Sequence, residues 1–229
     1  MIGIIGAMEE EVAEILKLID IKQKEEHYGY LFYQGLMNNK EVILLQGGIG
    51  KVNATISTSL LLTHYDVDFV INIGSAGGLH TTQNVGDVVV SKNVAHHDVD
   101  VTAFGREIGE IPGMPKYFQA DLSLLEKVES ILKKNKIDSH VGLIVSGDQF
   151  VAREDQVKHI QKNFPEAMCV EMEAAAIAQV CYVYHKQFII TRSLSDVFNC
   201  GNSSIQFDEY LKKASQNSAQ MCFDLVSAL

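Results

Sequence analysis

An α/β fold built on a mostly parallel, helix-covered sheet is what this sequence predicts, and three observations carry the prediction. Short apolar runs rich in Val and Ile alternate with stretches of helical periodicity along the 229 residues, as in crossover units that return each strand to the same sheet. Several runs are apolar throughout, as strands covered on both faces are. Glycine clusters and carboxylates recur where a run gives way to a helix, and that edge of the sheet is where such folds hold ligands.

The elements follow in order. Ile2–Ile5 reads as a strand feeding a helix with Val12, Ile15, Leu16 and Ile19 on one stripe, and Met8 and Glu11, three apart, share a face. Leu31–Leu36 and Val42–Leu45 read as adjacent strands across the turn-prone Asn38-Asn39. Gly47-Gly48-Ile49-Gly50-Lys51 opens a helix carrying Val52, Ile56, Leu60 and Leu61. A phosphate-binding loop would need Gly in place of Leu45 and Ser or Thr in place of Val52, so this is a tight strand-to-helix turn.

Phe69–Ile73 is a strand ending in Gly74-Ser75-Ala76-Gly77-Gly78, small enough for backbone N–H groups to approach a ligand, yet without the dinucleotide G-x-G-x-x-G spacing. Val85–Val90 is a further strand. His96-His97-Asp98-Val99-Asp100 holds metal-ligand types, but neighbours on an extended segment point to opposite faces, so no metal site is expected. Residues 105–115 form a loop rich in Gly and Pro. A helix over Leu122–Lys134, a strand over Val141–Val145 and the segment Ser146–Val151 come next; an exposed Phe150 after the strand end can stack on a flat ring, although core packing is the commoner fate of a Phe. A strand Phe188–Thr191 precedes Arg192-Ser193-Leu194-Ser195-Asp196, and a last helix begins near Phe207.

Val170-Glu171-Met172-Glu173-Ala174 is the most chemically loaded junction. The apolar run Ala167–Val170 ends in two carboxylates at the start of an alanine-rich helix, where free N–H groups and the helix dipole favour an ionised acid. Such a carboxylate accepts hydrogen bonds from a ligand's hydroxyls, although first-turn acids are also ordinary in helices. Six sets of unusual residues fall beyond strand ends: Met8–Glu11, Gly47–Gly50, Ser75–Gly78, Phe150, Glu171–Glu173 and Asp196. Six placements in register point to one site.

Composition narrows the classes. The chain is 47% apolar and 21% charged with three prolines and no Gly-Ser linker, so one domain over residues 1–229 is expected. A net charge of −10 with no basic stripe argues against nucleic-acid binding. Met1–Met8 lacks a basic leader and meets Glu9-Glu10-Glu11, so neither a signal peptide nor a membrane span is expected, and the expected location is cytoplasmic. Cys169, Cys181, Cys200 and Cys222 show no C-x-x-C spacing and read as reduced thiols.

Taken together, Gly3–Glu11, Gly48–Val52, Asn72–Gly78, Asp100–Gly105, Gly142–Asp148, Val170–Ala174 and Ser195-Asp196 resemble the bacterial 5′-methylthioadenosine/S-adenosylhomocysteine nucleosidases over nearly the whole chain. The resemblance implies a nucleoside phosphorylase-like, three-layer α/β/α sandwich with a central mixed, mostly parallel sheet, a homodimer, and no metal or organic cofactor. It implies Asp196 as general acid to adenine N7 and Glu11 as activator of the attacking water. Glu173, with Met172 beside it, would hold the ribose hydroxyls, Phe150 would stack on adenine, and the Val151 backbone would read its edge. Ser75, Gly77 and Arg192 would complete a polar wall, and Met8, Ile49, Glu171, Ser195 and Phe207 would line the same pocket. Val101, Phe104 and Pro112 would reach the 5′ pocket from a partner subunit.

The chemistry suits these residue types. A proton delivered to the base lets adenine leave as a neutral molecule, while a carboxylate-activated water meets the oxocarbenium-like carbon from the other face. Asp196 is therefore expected to be buried with a raised pKa and Glu11 to stay ionised. Arg106 stands where related sequences often carry Tyr, and the segment from Asp196 to Phe207 is one residue longer than the family pattern. The alternatives are a purine nucleoside phosphorylase, a hydrolase of another 5′-modified nucleoside such as aminodeoxyfutalosine, and a nucleoside sensor. The acids in Glu9-Glu10-Glu11 and the scarcity of arginine disfavour a phosphate site. A sensor would have no need of both Glu11 and Asp196.

Overall fold

The computed structural model describes residues 1–198 and 203–229, the side chains at 203–206 and 208 excepted. In chain order the elements are β1 (Ile2–Gly6), α1 (Glu9–Leu16), β2 (Asp20–His27), β3 (Tyr30–Met37), β4 (Lys40–Gln46) and α2 (Lys51–His64). The centre holds β5 (Phe69–Gly78), β6 (Val88–His96), a 3₁₀ turn at Thr102–Phe104, β7 (Phe118–Gln119), α3 (Leu122–Asn135) and β8 (Ser139–Ser146). The C-terminal part holds α4 (Glu154–Asn163), β9 (Ala167–Glu171), α5 (Ala174–Val183), β10 (Gln187–Val197) and α6 (Ser203–Ala228).

Strand order runs β10-β6-β8-β9-β5-β1-β4-β3-β2, with β7 paired to β6. The path also closes on itself, because β10 pairs with β5 from Gln187↔Phe69 to Val197↔Gly78. The expected open sheet of a three-layer sandwich is thus replaced at its centre by a closed ring of β10, β6, β8, β9 and β5, with β1, β4, β3 and β2 as an open extension. Nor is it mostly parallel: five pairings are parallel and five antiparallel among the described residues. Closure depends on the reach of β10, which pairs with β5 along its length and turns its middle residues Thr191–Ser193 to β6. It also depends on Gly77 and Gly78, whose end of β5 bends to meet Val170 and Cys169 of β9. Glycine in a strand permits such bends and close approaches.

The core lies where β1, β4, β5 and β10 run side by side, with Ile4, Val42, Leu44, Val70, Ile71, Ile189 and Ile190 all buried. Ala174–Ala178 of α5 are buried all round, since small side chains let the helix sit close to the sheet and to α2. On the other side α6 packs on β5 and β10 and against α1 and α3. Cys169, Cys181 and Cys222 are free and buried, and Cys200 lies outside the described residues. Among the described residues no helix is long and apolar enough to cross a membrane.

Three elements escaped the sequence reading. β2 is almost wholly charged and exposed and exists through its ladder to β3. β7 is two residues long. In α4 only Val157 and Ile160 are buried, too few to set a periodicity. Two boundaries also move: β10 continues six residues past Thr191 to Val197, and α6 starts at Ser203.

Candidate active site

The ends of β1, β5, β9 and β10 converge on a cavity of about 320 Å³ lined by Ala7, Met8, Glu11, Ile49, Ser75, Ala76, Gly77, Gln149, Phe150, Val170, Glu171, Met172, Glu173, Ser195, Asp196 and Phe207. The six placements inferred from the sequence do share one site.

Glu11 enters from the first turn of α1 and is buried. One carboxylate oxygen accepts the N–H groups of Ala7 (2.9 Å) and Met8 (3.1 Å), and the other accepts the N–H of Ser75 (3.0 Å). The backbone of the loop before the helix thus aims the acid. Gly74 makes room: a Cβ there would stand 2.9 Å from a Glu11 oxygen. Burial pushes the Glu11 pKa up, opposed by the Arg192 charge and the three N–H donors, and the net direction is upward. Desolvation disfavours the charged form that the general base needs, and the three N–H donors and the Arg192 charge are what favour it here.

Asp196 is 4% exposed and sits just past a bulge in β10 that breaks the register between Leu194 and Asp196. The bulge brings it opposite Gly77, where a Cβ would lie 3.2 Å from its carboxylate. Ser195 Oγ donates to Asp196 at 2.9 Å. Residues 199–202 of the long segment after it lie outside the described residues.

The two acids at the β9–α5 junction divide their tasks. Glu171 accepts the N–H groups of Glu173 (3.0 Å) and Ala174 (2.8 Å), the hydroxyl of Ser146, and the guanidinium of Arg192 at 2.7 Å. The next helix N–H, at Ala175, goes to Ser146 Oγ. The helix terminus is therefore satisfied internally, and Glu171 supports the turn. Glu173 makes no capping bond; among the described residues its carboxylate accepts the N–H of Gly50, at 2.8 Å. Burial, and then the neighbouring Glu171 charge, push its pKa up to about 8.

A carboxyl raised in the folded state binds its proton more tightly there than in the unfolded chain. Stability is then full below the ordinary carboxylate range and is lost as pH rises through about 8. Thermal melting of the unliganded protein should therefore fall between pH 5 and 8.5, and Glu173→Gln should flatten that fall. Parallel pH profiles for the two proteins would contradict it.

Arg192 does not stand in the cavity wall as expected. It is 1% exposed and lies beneath the floor, bonded to Glu171, to Asn72 Oδ1 (2.5 Å) and to the Thr191 carbonyl (3.1 Å). Continuing β10 turned it to the inside of the sheet, next to the polar Asn72 of an otherwise apolar strand. The Val151 side chain packs against the cluster around Leu79 and Phe164, outside the lining; the contact expected of this residue was its backbone's. Val101, Phe104 and Pro112, expected in the pocket of a partner subunit, stand outside this chain's own cavity, and Phe104 is 85% exposed. The sequence reading missed Gln149 in the lining, which the neighbouring Phe150 had signalled, and Gly50 as partner of Glu173, which carries no side-chain signal.

Phe150 and Phe207 meet edge to face, 5.6 Å between centroids, at the mouth. Burial lowers the pKa of His96 and His97; His96 shares a hydrogen bond with Gln179 at 3.0 Å. Among the described residues no group of three or more His, Cys, Asp or Glu is arranged to hold a metal ion.

An α/β fold with a mixed sheet and a cavity at converging strand ends, lined by Glu11, Glu171, Glu173 and Asp196, defines a class, and the sequence agrees with it: residues 1–227 match the phosphorylase superfamily, to which this chain belongs. Within it, the chain is 48% identical over 230 residues, covering 100% of both sequences, to a 5′-methylthioadenosine/S-adenosylhomocysteine nucleosidase of Staphylococcus haemolyticus. A nucleosidase of the same name from Neisseria meningitidis, solved with methylthio-immucillin-A, superposes with a TM-score of 0.95 at 41% identity, covering 100% of this chain and 99% of that one. The futalosine hydrolase of Helicobacter pylori is also similar, with a TM-score of 0.94 and 33% identity over 100% of this chain and 97% of that one.

Proposed function

We propose that this enzyme hydrolyses the N-glycosidic bond of 5′-methylthioadenosine and S-adenosylhomocysteine, and also of 5′-deoxyadenosine, releasing adenine and the 5′-substituted ribose. The reading is carried by one observation: the cavity holds Glu11 and Asp196 while none of its lining residues among those described is Lys or Arg. A phosphorolytic enzyme must attract a phosphate, which wants Arg or free N–H donors. Here the N–H groups of Ala7, Met8 and Ser75 are given to Glu11, and Arg192 is given to Glu171. A neutral nucleophile suits such a site.

In the reaction, the C1′–N9 bond breaks as Asp196 delivers its proton to adenine N7, so the electron pair leaves on a neutral base. Water adds to C1′ and gives its proton to Glu11. Glu173 holds the ribose hydroxyls, and Phe150 and Phe207 cover the purine. The activity belongs to one domain over residues 1–229 in the cytoplasm, without cofactor, nucleic acid or membrane partner.

A homodimer is part of the same proposal. Val52 (68% exposed) and Ile56, four apart on α2, leave an apolar strip uncovered in one chain. Single exposed apolar residues are ordinary, but neighbours on one helix turn argue for a partner. Val101, Phe104 and Pro112 would then complete the 5′ pocket of the other copy. Light scattering that returns the mass of one chain would exclude the dimer.

Adenine release from methylthioadenosine, S-adenosylhomocysteine, 5′-deoxyadenosine and aminodeoxyfutalosine should be measured with and without phosphate. Release is expected to be independent of phosphate, with free sugar as co-product. A requirement for phosphate and formation of a sugar 1-phosphate would overturn hydrolysis.

A further inference from the structure

Outside the cavity, three charged residues from three separate segments close a small hydrogen-bonded ring. Asp98, after β6, accepts Lys51 Nζ at 2.6 Å on one oxygen and the N–H of Asp148 at 3.0 Å on the other. Asp148, after β8, in turn accepts the N–H of Lys51 at 2.7 Å. Lys51 is the first residue of α2, and Gly50 before it is the residue whose N–H meets Glu173.

The ring matters because Gly50 has little else to define it. Its φ of +90° is open chiefly to glycine, and it has no side chain to pack. A Cβ there would lie 3.1 Å from the Asp148 carboxylate, so the ring and the turn are already in close contact. Lys51 and Asp98 side chains are 19% and 23% exposed, so the pair is screened less than a surface bridge. Among the influences on Glu173 that oppose burial and the Glu171 charge, the Gly50 N–H is the largest.

We propose that Asp98 is a positioning residue, which through Lys51 and Asp148 fixes the Gly50 N–H against Glu173 and so aims that carboxylate at the ribose hydroxyls of the substrate. This rests on the nucleosidase reading, in which Glu173 contacts ribose. Asp98 touches no substrate; it acts on the ribose side and leaves the purine side unaltered.

The test measures binding by calorimetry of methylthioadenosine, which carries the ribose, and of adenine, which lacks it, in an Asp196→Asn background that binds without turnover. Adding Asp98→Asn or Lys51→Met should weaken methylthioadenosine roughly tenfold, a modest share of a hydrogen bond to a charged group. Adenine should stay within about twofold and the melting temperature should hold, while Lys51→Arg restores most of the loss. In a Glu173→Ala background Asp98→Asn should add less than about twofold. Equal weakening of both ligands, or no weakening of either, would show that the ring is only a structural tie and overturn the proposal. Failure of methylthioadenosine to bind at all in the Asp196→Asn background, together with no adenine release by the unaltered protein, would instead overturn the nucleosidase reading and this inference with it.

Discussion

Asp196→Asn should reduce adenine release by about 10²–10⁴-fold while the protein folds normally. The substitution keeps the size of the side chain and the hydroxyl of Ser195 as a neighbour, but removes the proton that the proposed reaction hands to the purine nitrogen. Without it, adenine must leave as an anion. The melting temperature should move little, since Asn at this buried strand end spares the fold the cost of a desolvated acid. Single-turnover adenine release with methylthioadenosine checks the prediction, and wild-type rates in the variant would end the assignment. An intact affinity for adenine with lost turnover would separate chemistry from binding.

Arg192→Met should be the most damaging single change to stability. The guanidinium is buried against Glu171 at 2.7 Å and Asn72 at 2.5 Å. Removing one member of a buried ion pair leaves the other charge desolvated and uncompensated, which typically costs about 3–5 kcal/mol. For a chain of this length that corresponds to a melting shift of roughly 10 °C. Pairing it with Glu171→Gln should recover part of the loss, because the orphaned charge is then gone. Denaturant unfolding of the single and double variants provides the measurement; a single-variant loss under about 1 kcal/mol, or a double variant no better, would show that the pair is not what holds the floor of the site.

Much of the site could be read before any fold was known. Glu11, Ser75, Gly77, Phe150, Met172, Glu173, Ser195 and Asp196 all line the cavity. They stand where apolar runs end, and strand ends in such folds come together at one edge. What misled was direction. Arg192 and Asp196 lie four apart on β10, yet one points beneath the floor and the other into the cavity, because the bulge between Leu194 and Asp196 breaks the simple alternation of a strand.

The residues themselves determined the α/β class, the places of most strands and helices, and which acids meet at one site, because apolar periodicity and strand-end chemistry are local properties written along the chain. Tertiary structure alone decided that the sheet closes through β10 and β5, that Glu171 serves the helix while Glu173 faces the cavity, and that Arg192 is spent on Glu171. Each of those depends on which group lies across a gap of dozens of residues, from Gly50 to Glu173 or from Asn72 to Arg192, and on how burial shifts the balance between charge and proton. No spacing along a chain contains that information.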